Sequence, residues 1–75
     1  MNAKRRSEIS TLISELEDLI SRAETLRDEE QEAYDNMPES LQGSDRGQES
    51  EQAANSLDSA VSDLETALSS LQDIE

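Results

Sequence analysis

Ile9-Ser10-Thr11-Leu12-Ile13-Ser14-Glu15-Leu16-Glu17-Asp18-Leu19-Ile20-Ser21-Arg22-Ala23-Glu24-Thr25-Leu26 decides how this chain is read. With Ile9, Leu16 and Ala23 at position a of a seven-residue frame, Leu12, Leu19 and Leu26 fall at d, and Ile13 and Ile20 at e. Apolar residues three and four apart make one stripe along a helix, and nothing alternates with the period of two that a strand requires. The frame runs on through Glu30 and Met37 at a, Ala33 at d, and Arg27 and Tyr34 at e.

The second half of the chain repeats the device. Ser50, Leu57, Leu64 and Leu71 occupy a, Ala53, Ala60, Ala67 and Ile74 occupy d, and Ala54, Val61 and Leu68 occupy e. Alanine at three successive d positions lets another helix approach closely, whereas the first half carries leucine at three of its d positions. Between the halves lies Asn36-Met37-Pro38-Glu39-Ser40-Leu41-Gln42-Gly43-Ser44, where Pro38 disfavours a helical Met37 and Gly43 supplies freedom for a turn. Ser44 is a natural N-cap for the second helix, with Asp45 and Glu49 adding negative charge where the helix dipole favours it. The chain therefore reads as a single all-α domain over residues 1–75, an antiparallel, coiled-coil-like two-helix hairpin with a helix over 7–37, a turn over 38–43 and a helix over 44–74. A turn centred near residue 40 sets side by side residues whose numbers add to about 80, which pairs Ile9 with Leu71, Leu16 with Leu64 and Ala23 with Leu57.

Such a hairpin cannot supply a conventional core. Only 32% of the 75 residues are apolar, and Tyr34 is the one aromatic. A low apolar content with this charge is also the composition of disordered chains, but the sustained stripe argues for helices. Because a hairpin buries one seam and an a/d/e stripe is wider than one seam needs, a second chain is expected to cover the remainder, most simply as a dimer forming a four-helix bundle.

Nineteen acidic residues against six basic ones give a formal charge of −13, and Lys4, Arg5 and Arg6 concentrate half of the positive charge at the start. Direct nucleic-acid binding and attachment to anionic membranes are disfavoured, since both partners are polyanions. No apolar run is long enough to span a bilayer or to act as a signal-peptide core, so a cytoplasmic location is the expectation. The chain has no Cys and no His, which removes disulfides, thiolate nucleophiles, imidazole bases and nearly all zinc chemistry.

Asp28-Glu29-Glu30-Gln31-Glu32-Ala33-Tyr34-Asp35 is the densest acidic stretch. It lacks the calcium-loop pattern, helical di-iron sites need a His, and the Glu-rich Mg²⁺ sites of all-α nucleotide pyrophosphohydrolases need a matching inward carboxylate pair that the second helix lacks. A solvated face is the expectation, with no metal or other cofactor. The stripe itself is broken at Glu30, with Arg27 one turn earlier and, under the same pairing, Ser50 across from Glu30 and Arg46 and Gly47 beside Tyr34 and Ala33. Arg27, Glu30, Tyr34 and Arg46 are thus the candidate partner- or ligand-binding residues, set against the alternative that a polar layer only fixes register and oligomeric state. Lys4-Arg5-Arg6 is expected to lie against Asp73 and Glu75 and be neutralised there. The serines, mostly at outward positions such as Ser10, Ser14, Ser21, Ser56, Ser59 and Ser62, have no base to activate them, and no catalytic residue is proposed.

The segment from Asp28 through Ser44 resembles a motif of small phage, prophage and Gram-positive bacterial proteins, in which an acidic helix ends in Tyr/Phe-Asp-Asn-Met/Leu-Pro-Glu-Ser/Asn-Leu-Gln and a second helix rich in Leu, Ala and Glu comes next. The likeness covers these central residues, and the remainder only as heptad pattern. It implies a phage-related origin and carries over no activity.

The sequence thus points to a non-enzymatic, self-associating acidic hairpin that works by binding, as a phage accessory protein engaging or inhibiting a host protein. Two alternatives stand beside it. One is an oligomeric sponge holding an anionic, nucleotide-like small ligand between Arg27, Tyr34 and Arg46. The other is a DNA mimic occupying the basic groove of a nucleic-acid-binding enzyme.

Overall fold

A computed structural model describes residues 1–75 and contains helices only: α1 over Ala3–Asp35, α2 over Glu39–Gln42 and α3 over Asp45–Gln72. The two long helices lie side by side in a rod of 59 × 14 × 13 Å.

α1 begins four residues before Ser7, the start expected from sequence, because Asn2 caps it: the Asn2 Oδ1 accepts from the Arg5 N–H at 2.8 Å. Lys4, Arg5 and Arg6 therefore occupy its opening turns, where the helix dipole does not favour cations. At the other end Pro38, with no N–H to donate, stops the helix, and Met37 N–H turns back to the Tyr34 carbonyl at 3.1 Å. The connector then makes a turn of its own. The Pro38 carbonyl accepts from the N–H groups of Leu41 and Gln42 at 2.8 and 3.2 Å, closing α2. Gln42 reaches back, its Nε2 donating to the Tyr34 carbonyl at 3.1 Å. Gly43 has φ −84° and ψ −4°, ordinary right-handed helical backbone, so the conformational freedom assigned to it from sequence is not used. Ser44 caps α3 by accepting from the Gly47 N–H.

α2 moves the chain reversal, and with it the register. Three cross-helix contacts, Ser10 with Glu75, Arg27 with Asp58 and Tyr34 with Glu51, have residue numbers that add to 85 in each case. The expected total of about 80 assumed a reversal near residue 40, whereas the helical turn at 39–42 pushes it some two residues later. As a result the a positions do not face each other, and the pairings of Ile9 with Leu71, Leu16 with Leu64 and Ala23 with Leu57 are replaced. Position a of one helix now lies opposite e of the other: Leu16 sits at the level of Leu68, Ile20 of Leu64 and Ala23 of Val61.

The stripe is sorted by depth accordingly. All five buried residues, Ile13, Ile20, Gly47, Ala54 and Val61, stand at e in the frame. Every a position from Ile9 to Met37 and from Ser50 to Leu71 is half-buried. Of the d positions only Ala53 is half-buried, and the others are exposed, with Leu12 at 49%, Leu19 at 46% and Leu26 at 53% of full exposure.

Candidate functional site

Gly47 makes the tip possible. It lies in the first turn of α3 at the point where that helix crosses the end of α2, and a Cβ built there would stand 2.5 Å from the Leu41 carbonyl oxygen and 2.6 Å from the Gln42 carbonyl carbon. Gly47, set beside Ala33 by the pairing expected from sequence, thus closely approaches the backbone of α2.

Of the four residues singled out from sequence, Arg27, Glu30 and Tyr34 follow one another at helical spacing along one face of α1, and Arg46 stands apart on α3. Arg27 is half-buried at e, and its guanidinium is already taken: Nε meets the Asp28 carboxylate at 3.1 Å and Nη1 meets Asp58 across the hairpin at 3.0 Å. Hydrogen bonds to Asp28 and then Asp58 hold its pKa above the ordinary arginine value. Tyr34 lies two turns further toward the tip. It is half-buried, and its phenol faces Glu51; hydrogen bonding to that carboxylate, followed by partial desolvation, pushes its pKa up. Glu30 is half-buried at a, level with Ala54 rather than Ser50. Arg46 is exposed on the opening turn of α3, in no ion pair, and the register that brings Glu51 to Tyr34 carries Arg46 past it. The pairing of two arginines around one ring is accordingly not made.

The acidic run does not converge either, as no group of three or more carboxylates is placed to hold a metal ion. At the end of the hairpin opposite the tip, Lys4, Arg5 and Arg6 form no ion pair with Asp73 or Glu75, contrary to the neutralisation expected. Glu75 instead accepts from the Ser10 hydroxyl at 2.7 Å, beside a depression of about 160 Å³ lined by Met1, Arg6, Ile9 and Ile74. That volume is below the roughly 300 Å³ at which small-molecule pockets begin.

What the fold does assemble is an apolar face. In an antiparallel pair, rows displaced in the same rotational sense from the seam emerge on the same side. The d rows of α1 and α3 therefore lie next to each other, a ridge of Leu12, Leu19 and Leu26 beside a furrow of Ala60 and Ala67 closed by Ile74. The half-buried a positions form the floor between them. The spare width of the stripe is visible in the sequence; which row is spare depends on the register, and so on the turn of α2. No helix is long and apolar enough to cross a membrane. No protein-family model, no curated protein and no solved structure matches this chain. The architecture defines the class to which it can be assigned: all-α, two long helices packed as a hairpin with one apolar face uncovered.

Proposed function

We propose that this protein is a non-enzymatic binding protein that self-associates through its exposed d rows, so that two hairpins complete one four-helix bundle. The observation that carries the reading is the unbroken row of half-exposed leucines, Leu12, Leu19 and Leu26, at the spacing of a helix seam. With only 5 of 75 residues buried, a lone hairpin has little apolar burial to offset the conformational entropy of ordering its chain, and a second copy supplies what is missing. Self-association leaves the acidic sides of the bundle outward, and these are the surfaces offered to a further protein. The resemblance of the interhelix segment to phage and prophage proteins supports a host protein as that further partner.

The ligand-sponge reading loses its support with the arrangement of Arg27, Tyr34 and Arg46 described above. Sedimentation of the full chain over a range of concentrations tests the proposal, read together with far-ultraviolet circular dichroism. A mass of two chains whose dissociation on dilution lowers helicity is expected, and Leu19→Glu should shift the equilibrium to the single chain. A fully helical single chain at micromolar concentration overturns the reading.

A further inference from the structure

Two hairpins can bring their apolar faces together about either of two symmetry axes, and the charges along the edge of the face distinguish them. Resting on the self-association proposed above, we infer that the second copy is packed with both tips at the same end, α1 of each copy lying on α3 of the other, and that Arg22 pairs with Asp63 of the second copy to fix this arrangement.

A two-fold axis along the length of the hairpin exchanges α1 and α3 in position without moving any residue up or down the rod. Residues level with each other inside one chain are then level between chains. Leu26 of one copy meets Ala60 of the other and Leu19 meets Ala67, so the leucine ridge of each copy enters the alanine furrow of the other, twice over. At the outer edge stand the g positions. Arg22 comes level with Asp63, Glu15 with Ser70 and Glu29 with Ser56. Between Glu15 and Glu29 every acidic or basic residue on this edge of α1 thus faces either its opposite or a neutral serine. Arg22 and Asp63 are both exposed and neither enters an ion pair within the chain.

The other axis runs across the hairpin and stacks α1 on α1 with tips at opposite ends. Full overlap of the apolar rows then sets Arg22 against Arg22, Asp63 against Asp63 and Glu15 against Glu29. Each of these is a like-charge contact at the rim of an interface, where like charges oppose association and complementary ones select the partner's orientation. This antiparallel stacking would bring Lys4, Arg5 and Arg6 toward the acidic tip of the other copy. That attraction lies beyond the last apolar layer and is screened, whereas the Arg22 and Asp63 contacts sit within it.

The test is a charge-exchange cycle on the full chain, measuring the dimer dissociation constant by sedimentation at fixed ionic strength, with helicity at high concentration confirming that each variant folds. Arg22→Glu and Asp63→Arg should each weaken association by about tenfold, since each change affects two symmetry-related contacts, and the double variant should return to within about threefold of the unaltered chain. Stronger or unchanged association in Arg22→Glu overturns the arrangement and favours α1 on α1, as does a double variant no tighter than the singles. A single-chain mass for the unaltered protein would instead refute self-association itself.

Discussion

Replacing Gly47 with alanine should destabilise the hairpin, and the same change at Gly43 should not. In an exposed helix interior, glycine to alanine gains about 0.8–1 kcal/mol of helix propensity. At Gly47 that gain is available in principle, since no residue of the chain has positive φ and the backbone there is helical. The new methyl group, however, would meet backbone carbonyl groups of Leu41 and Gln42 at 2.5–2.6 Å, and backbone cannot rotate aside as a side chain can. Relief requires α2 to move off α3, which disturbs the hydrogen bond from Gln42 to the Tyr34 carbonyl and the Ser44 cap. Overpacking of this kind costs about 1–3 kcal/mol, so after the propensity gain a net loss of up to about 2 kcal/mol is expected. At Gly43 a Cβ meets nothing within 4 Å and the backbone is already right-handed helical. There alanine restricts the unfolded chain and should add about 0.4–1 kcal/mol. Thermal melts at one fixed protein concentration, so that any assembly equilibrium is held constant, should separate the variants, because 1 kcal/mol moves the midpoint of a chain this size by about 4–8 °C. Gly47→Ala melting at or above the unaltered protein would refute the close crossing of α2 and α3.

Ile20→Ala should cost about 2–5 kcal/mol in denaturant titrations, because Ile20 is among the four buried apolar side chains and little else can fill its place. The Tyr34 phenol, titrated by ultraviolet absorbance, should ionise at a pH above the ordinary value of about 10. Because the folded-state pKa is the raised one, the stabilisation is fully present below the unfolded value and is lost as pH rises through the folded one, and Tyr34→Phe should abolish this alkaline component in pH-dependent melts. Added salt should raise the melting temperature of a chain carrying −13, since screening relieves self-repulsion more than it weakens the single cross-helix ion pair of Arg27; a fall would show that specific ion pairs dominate.

The long helices are legible in the sequence because their signal is summed over many residues: Ile9 to Leu26 and Leu57 to Leu71 keep one period throughout. The Ser44 cap is legible for the opposite reason, as a local side-chain preference needing no tertiary context. The turn of helix over Glu39–Gln42 is not legible. Four residues carry no period, and Pro38 and Gly43 read equally well as the ends of a loop. The candidate site inherits that error. A register five residues short sets Arg46 beside Tyr34, and with the true register Glu51 takes that position. Gly47 can be found from the sequence only by knowing that α2 is helical, since its role is to admit the carbonyl groups that a helical turn directs toward it.

One turn of helix at the tip thus determines which apolar row this chain leaves exposed. The a/d/e stripe is wide enough for two alternative seams. Were the reversal centred near residue 40, the a rows would face each other, with d of each helix flanking e of its partner, so that Leu12, Leu19 and Leu26 would be drawn toward the seam. With α2 in place the residues level with α1 are later by about five, more than one turn. That displacement exchanges the second a row for an e row: Ile13 and Ile20 go inside with Ala54 and Val61, and the leucines at d are left out. Side-chain size agrees with this division. The inner e row of α3 is small near the tip, Gly47 then Ala54, and larger beyond it, Val61 then Leu68. On the outer face the leucines of α1 lie beside the alanines of α3, a ridge next to a furrow that nothing within the chain covers. Interior and uncovered apolar face are therefore written in the same heptads, and the short α2 helix sorts one from the other.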